Sequence, residues 1–391
     1  MTQPAYNLHT AETAPAMVIM VPTGAVLIAD IVSTIRIVGR EAWNACHPGE
    51  LENYDYLLAV EEAGVAGFTW CYALVRQGKR VLACCPAFLT DFSPLTTLDD
   101  GWLKTFVQAI QRWFPRFLSF KFACLGSPVT EAGVIGFHPC IQEAHKPEIL
   151  RQLLSYFESK KKRQGFHLIG IKDIPQEQKP LWEAAALPMG YCFLHSLPSA
   201  ELAADFANMQ EYMASLSADT RKDMRRKLKK MPELRIEQRN QLDDVLPEIE
   251  KLYISTKNRS EFQFEELKRA YFTNVLRHMG ERAHCMLYFS GEKLLAFNLV
   301  LKDARRLLDK FFCMDAKAGR QFNLYFISWF TNLQYCLDHR IACYQSGQAG
   351  YDNKLRLGST LTPNWLMFRH TNPVMNALLR FVAPLLAVNE E

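Results

Sequence analysis

Residues 340–369 read RIACYQSGQAGYDNKLRLGSTLTPNWLMFR. A short strand, Ile341–Tyr344, gives way to a connection bounded by Gly347 and Gly350. A basic turn follows (Lys354, Arg356, Gly358), and then a second strand, Leu361–Phe368. Glycine has no Cβ, so backbone amides in this stretch can approach a ligand closely. Tyr344, Gln345 and Ser346 fall at the C-terminal end of the first strand, the end that ligands favour in open α/β sheets.

Working outward, 391 residues suit two domains of ordinary size. The boundaries predicted are 17–200 and 201–391. The chain is 49% hydrophobic and 22% charged, a globular balance that excludes a disordered chain. Net charge is only +4, but residues 221–230, RKDMRRKLKK, hold seven basic groups and one acidic one. That local +6 leaves the rest of the chain at −2, so the positive character sits in one segment. Met224 and Leu228 give that segment one apolar side, as on a surface helix. Its basic face can be solvated, or can meet lipid head groups, carrier phosphates or RNA. No stacking aromatics are interleaved, which weighs against nucleic acid.

Eleven cysteines are scattered with no CxxC pair, the pattern of reduced, buried thiols in a cytoplasmic protein. No histidine or cysteine spacing suggests a metal site. No Ser-His-Asp order, P-loop or dinucleotide fingerprint is present. The apolar run Met17–Ile28, broken by Pro22 and Gly24, is too short to span a bilayer and reads as two strands. The apolar tail Pro373–Val388 is also too short to span; it can cover a core, line an acyl groove or lie in a membrane interface.

The element order repeats. In the first half, Ile31–Val38 reads as a strand and Tyr54–Ala63 as a helix. Thr69–Val75 and Arg80–Phe88 form a hairpin, Trp102–Phe114 a helix, Phe120–Leu125 a strand, Pro147–Lys162 a helix and Phe166–Ile171 a strand. In the second half, Gln210–Lys230 reads as helix and Leu234–Gln238 as strand. Asp244–Lys257 and Glu261–Met279 read as helices, and Ala283–Met314 as a strand meander. Phe322–Asp338 is a helix before the Ile341–Tyr344 strand. No sequence repeat accompanies this order, which argues for two similar α/β units.

Two motifs carry a resemblance. The spacing of Gly347, Lys354, Leu357 and Gly358 resembles the C-terminal signature of the FemAB-like and cellulose-biosynthesis-type branch of the GNAT acyltransferases. Residues 212–227, YMASLSADTRKDMRRK, look like the helix that opens the second unit in the same branch. The resemblance covers residues 205–370 well and 31–200 weakly, with Gly126-Ser127-Pro128 its clearest point in the first half. It implies an α/β (α+β) fold of two tandem GNAT-like units, with mixed, mostly antiparallel sheets flanked by helices. The first unit would be degenerate.

It further implies two central parallel strands that splay to admit acyl-CoA, a co-substrate and not a bound cofactor. Orphan amides and the helix dipole at the next helix start would take the pyrophosphate. Here that start holds Gly319, Arg320, Gln321 and Asn323; Arg320 offers a phosphate-pairing guanidinium and Asn323 a cap. The chain lacks the fuller Gly-rich loop of acetyl-CoA enzymes, and an acyl carrier protein is an alternative donor. Tyr344, Ser346 or Tyr351 would protonate the leaving thiolate. Lys354 would neutralise a phosphate or oxyanion, or else stands solvated after the turn. Asp309 would act as base toward an amine, or else pairs with Lys310 on the surface. Asn298, amid apolar strand neighbours, would fix the sheet or touch the acyl carbonyl.

The activity implied is N-acyl transfer from acyl-CoA or acyl carrier protein to an amine, possible acceptors including a sphingoid base. It would take place in the cytoplasm, with peripheral contact to anionic membrane on its inner face. Two alternatives stand beside it: an aminoacyl-tRNA-dependent FemAB-type peptidyl transferase, and a non-catalytic protein that recognises cell wall or lipid.

Overall fold

The computed structural model describes residues 17–20, 26–92, 120–259 and 265–382. The predicted Trp102–Phe114 helix lies outside them. The strands are β1 (Met17–Met20), β2 (Val26–Val32), β3 (Phe68–Gln77), β4 (Arg80–Phe92), β5 (Phe120–Leu125), β6 (Gly136–Phe137) and β7 (Leu168–Pro175) in the first half. They continue with β8 (Cys192–Ala203), β9 (Arg235–Arg239), β10 (Ala283–Ser290), β11 (Lys293–Lys302), β12 (Arg306–Met314), β13 (Cys343–Gln345) and β14 (Thr360–His370).

All of them join one sheet, in the order β1-β2-β3-β4-β5-β7-β14-β8-β13-β12-β11-β10-β9, with β6 beside β4. Among the described strands, two pairs are parallel, β5 with β7 and β12 with β13. Each half therefore holds a hairpin-fed antiparallel wing and one parallel pair, the arrangement expected of a tandem fold. The centre is exchanged. β14, late in the chain, pairs with β7 of the first half. β8, from the first half, pairs with β13 of the second. The predicted 200/201 boundary thus falls inside β8, and each half completes the other's sheet.

Three cores follow. One face of the sheet carries a core shared by both halves, in which helix Tyr54–Ala63 and helix Arg269–Met279 pack together. On the other face each half has its own core, one under helix Lys146–Arg163 and one under helix Leu324–His339.

Some local readings change. The strand predicted over Ile31–Val38 ends at Val32, because Thr34 caps a short helix, Ile35–Val38, through the Arg36 amide (3.3 Å). The helix predicted over 210–230 is two, Met209–Ser215 and Ala218–Leu228; Ser217 takes the Thr220 amide (3.2 Å) and starts the second. The long helix from Glu261 is Arg269–Met279, with 265–268 irregular and 260–264 outside the described residues. The basic turn after Gly350 is a helix, Tyr351–Arg356.

Candidate active site

β12 and β13 pair over three rows only, Arg306–Leu308 against Cys343–Gln345. β12 then runs on to Met314, while the other chain turns away at Gly347, whose φ of 76° is a left-handed value suited to glycine. The divergence opens a wedge, and Asp309 is the first β12 residue in it. Its carboxylate accepts hydrogen bonds from Asn298 of β11, from Asn332 of helix Leu324–His339 (3.3 Å) and from the Tyr344 hydroxyl (3.2 Å). Asn332 also donates to the Asn298 side-chain oxygen at 2.9 Å. Sequence reasoning brought forward Asp309, Asn298 and Tyr344, and the structure brings them together. It missed Asn332, whose signal was an amide one turn after Ser328 in a largely apolar helix.

Burial pushes the Asp309 carboxyl up to about 6, against the opposing pull of Asn298, the Lys354 charge and Tyr344. Such a carboxylate is poised to take a proton near neutrality. Burial and the Asp309 charge hold the Tyr344 hydroxyl well above its ordinary range, so it remains a proton donor. Beside them is a cavity of about 20 Å³, room for about one water. Asp309, Phe312, Tyr325, Ser328, Trp329, Tyr344 and Ser346 line it. Tyr325, Ser328 and Trp329 belong to the first two turns of helix Leu324–His339, so the positive end of that helix faces the wedge. The Tyr325 hydroxyl is buried with no hydrogen-bond partner among the described residues.

The turn that closes the wedge is fastened from the exchanged strand. Ser346 N and Oγ both donate to Ala200 O, at 2.9 and 3.4 Å. Opposite Pro363 the β8–β14 register shifts at Leu197 and Pro198, which frees two carbonyls. Gln348 donates to Leu197 O (3.0 Å) and the Tyr351 hydroxyl to Pro198 O (2.9 Å). Tyr351 is thereby a brace of the loop. Lys354 is 3% exposed and donates to Gly347 O at 2.8 Å. Burial brings it down to about 8, while Asp309 and Glu131 pull it up. It is neither a solvated lysine nor free to swing outward.

Lys310, the extra residue of a bulge opposite Leu299–Val300, points to the other face of the sheet from Asp309, as successive strand residues do. Asp309 stays on the helix Leu324–His339 side, and Lys310 enters the shared core. Lys310 Nζ lies 2.7 Å from Glu52 and 3.5 Å from Glu131. Burial alone would lower the Lys310 pKa, but Glu52 and Glu131 raise it. The surface Asp309–Lys310 pair is therefore not what forms; the two bury separately, with different partners.

The residues predicted to take phosphate lie just before the start of helix Leu324–His339. Helix Ala316–Phe322 is capped by Asp315, which takes the Ala318 amide at 2.8 Å. A side chain on Gly319 would meet Met314 Sδ at 2.6 Å, so this glycine serves packing. Arg320 and Gln321 are exposed. Asn323, at φ 58°, joins the two helices without a side-chain cap and donates to Lys227 O (3.4 Å). The 221–230 charges are partly committed to the protein itself. Arg221 donates to three carbonyls of residues 213–216, and Asp223 gathers Arg226, Lys227 and Arg356. Lys227 also stands 3.4 Å over the Phe326 ring. Met224 is fully buried, as an amphipathic surface helix requires. No metal-holding group of side chains occurs among the described residues.

A family model for FemAB-like proteins, described as peptidoglycan biosynthesis/recognition, matches residues 34–384. No curated protein matches the sequence. Among solved structures the chain is similar to the crystal structure of FemX, at 12% identity and a TM-score of 0.55, with 90% of this chain and 99% of that one covered. It is also similar to a tandem GNAT protein from the clavulanic acid biosynthesis pathway, at 13% identity and a TM-score of 0.51, with 88% and 99% covered. At these identities the likeness is one of fold.

Proposed function

The chain belongs to the FemAB-like family, and from that premise we propose that it is a transferase moving an acyl group from an activated carrier to an amine. The observation that supports this reading most is the buried Asp309 in the wedge, with a pKa near 6 and Tyr344 bonded to it. The amine nitrogen attacks the carbonyl carbon, and the electron pair moves to the carbonyl oxygen. The helix end at Tyr325 favours that negative charge. Asp309 receives the amine proton. Collapse re-forms the carbonyl and expels the carrier, whose sulfur takes a proton from the Tyr344 side. No covalent enzyme intermediate is needed. Lys354 holds the Gly347 carbonyl, and so the turn, in place. Positioning then supplies much of the rate.

The donor in this reading is acyl-CoA or an acyl carrier protein, and the acceptor a lipid-like amine such as a sphingoid base. Family membership favours a second donor, an aminoacyl ester on tRNA, with an oxygen leaving in place of sulfur. One experiment separates them. The purified protein is given acyl-CoA of graded chain length, loaded acyl carrier protein, or tRNA charged with labelled amino acid, each with sphinganine or a muropeptide amine. Amine-dependent release of the carrier by one donor, abolished by Asp309→Asn, supports transferase chemistry. Binding of lipid or muropeptide with no turnover of any donor selects the non-catalytic recognition protein and overturns the proposal.

A further inference from the structure

We propose that helix Pro373–Val382 seats the protein on the surface of an anionic lipid bilayer. Val374, Leu378 and Phe381 are 75%, 54% and 80% exposed. Their spacing of four and three residues aligns them in a single stripe along the helix. The opposite side of the helix is fixed. Leu379 packs against the shared core, and the Asn376 side chain bonds to both Gly190 O (3.0 Å) and His370 N (2.9 Å). The stripe faces outward because the other face is docked, and a large exposed Phe–Leu–Val stripe calls for a partner.

The surroundings say which partner. The rim is cationic. The helix itself carries exposed Arg380. The segment that leads into it is tied to the chain just past the basic end of helix Lys146–Arg163: Thr371 N donates to His167 O (2.8 Å), and the two side chains meet at 2.9 Å. Lys162, Arg163 and His167 are exposed at that end. An apolar stripe with a basic border is the pattern of a helix lying in the headgroup layer of an anionic membrane. A protein partner suits it less. One three-residue stripe is far below the roughly 1,200 Å² that a stable protein interface buries, and lysine is depleted from such interfaces. The inference does not depend on the transfer chemistry proposed above.

The full chain is tested by flotation with phosphatidylcholine vesicles, with and without phosphatidylglycerol. Wild type is expected to float with anionic vesicles and not with neutral ones. Leu378→Ser with Phe381→Ser should weaken binding by about tenfold or more per side chain, and Lys162→Gln with Arg163→Gln and Arg380→Gln should erase the anionic preference. Both variants should melt as wild type does, since all these side chains are exposed. Phe381→Trp, with binding intact, should show a blue-shifted emission component on anionic vesicles. Three results overturn the proposal: no flotation on anionic vesicles, flotation unchanged by the Ser pair, or a dimer in light scattering that the Ser pair dissolves. The charges of helix Ala218–Leu228 and of Lys229 at its end provide the control. Lys222→Gln with Arg225→Gln and Lys229→Gln should leave flotation unchanged, and loss of flotation there would relocate the membrane face and refute this one.

Discussion

Asp309→Asn separates the electrostatics of the wedge from its shape. The carboxyl rises from 3.8 to about 6 on folding, chiefly through burial. A rise of about two units corresponds to about 3 kcal/mol. The sign follows from linkage. Between the two values the folded state holds the proton more tightly than the unfolded chain, so stability from this group is greatest in acid. It declines as pH climbs from about 4 to about 6, where the folded protein must bury a charge. Asn carries no such charge. It also turns an NH₂ toward a donor, a cost that does not change with pH and cancels in the comparison. The stability of wild type minus that of Asp309→Asn should therefore fall with pH. About half of the 3 kcal/mol should appear between pH 5 and pH 7, below the Lys354 titration near 8. Urea unfolding followed by tryptophan fluorescence reads this difference without any substrate. A difference that is flat across the window would mean that Asp309 titrates as an ordinary surface carboxylate, and its use as a base near neutrality would lose its support.

Four further outcomes are expected. With the assigned donor, wild-type kcat/KM should fall below about pH 6, and Asp309→Asn should remove that limb and lower turnover by about 10²–10⁴-fold, read from a pH–rate profile. Lys354→Met, which frees the Gly347 carbonyl, should lower kcat/KM by about 10- to 150-fold with a smaller effect on donor affinity by calorimetry. Lys310→Met leaves Glu52 and Glu131 buried without their cation and should cost about 3–5 kcal/mol in denaturant unfolding. A fragment of residues 204–391 lacks β8, so β13 and β14 lose their common partner; it should show no cooperative melt alone and regain one with residues 1–203.

The halves were legible because their signals are local. Gln77-Gly78-Lys79 and Ser290-Gly291-Glu292 announce hairpins, and the observed β3–β4 and β10–β11 pairs lie where those turns put them. Asp309, Asn298 and Tyr344 were legible because polar groups stand out in apolar strands. The exchange of β8 and β14 was not. Pro198 interrupts the alternation of β8, and its partners lie more than a hundred residues away. Gly319 is a different case. A glycine can admit a phosphate or a neighbouring side chain, and sequence does not distinguish them; here Met314 lies against it. Lys310 was misread because successive strand residues face opposite sides of the sheet, and here both sides are covered by packed cores.

The exchange also explains how a half without an open wedge contributes to one. Between β5 and β7 the first half has the same parallel pairing that opens the site in the second. There the chain fills its own gap. Gly126 N donates to Pro86 O and Gly133 N to Asp173 O, both at 2.7 Å. A side chain on Gly133 would lie 1.9 Å from Lys172 O, so the loop is pressed against β7 as closely as backbone allows. The filled gap is not idle. The same loop carries Glu131, whose amide donates to Glu52 at 2.7 Å and whose carboxylate reaches Lys310 on the strand that bears Asp309. β8 meanwhile supplies the carbonyls that hold Ser346, Gln348 and Tyr351. The first half thus acts on the wedge twice, by a strand that fixes its rim and by a plugged cleft that fixes its floor.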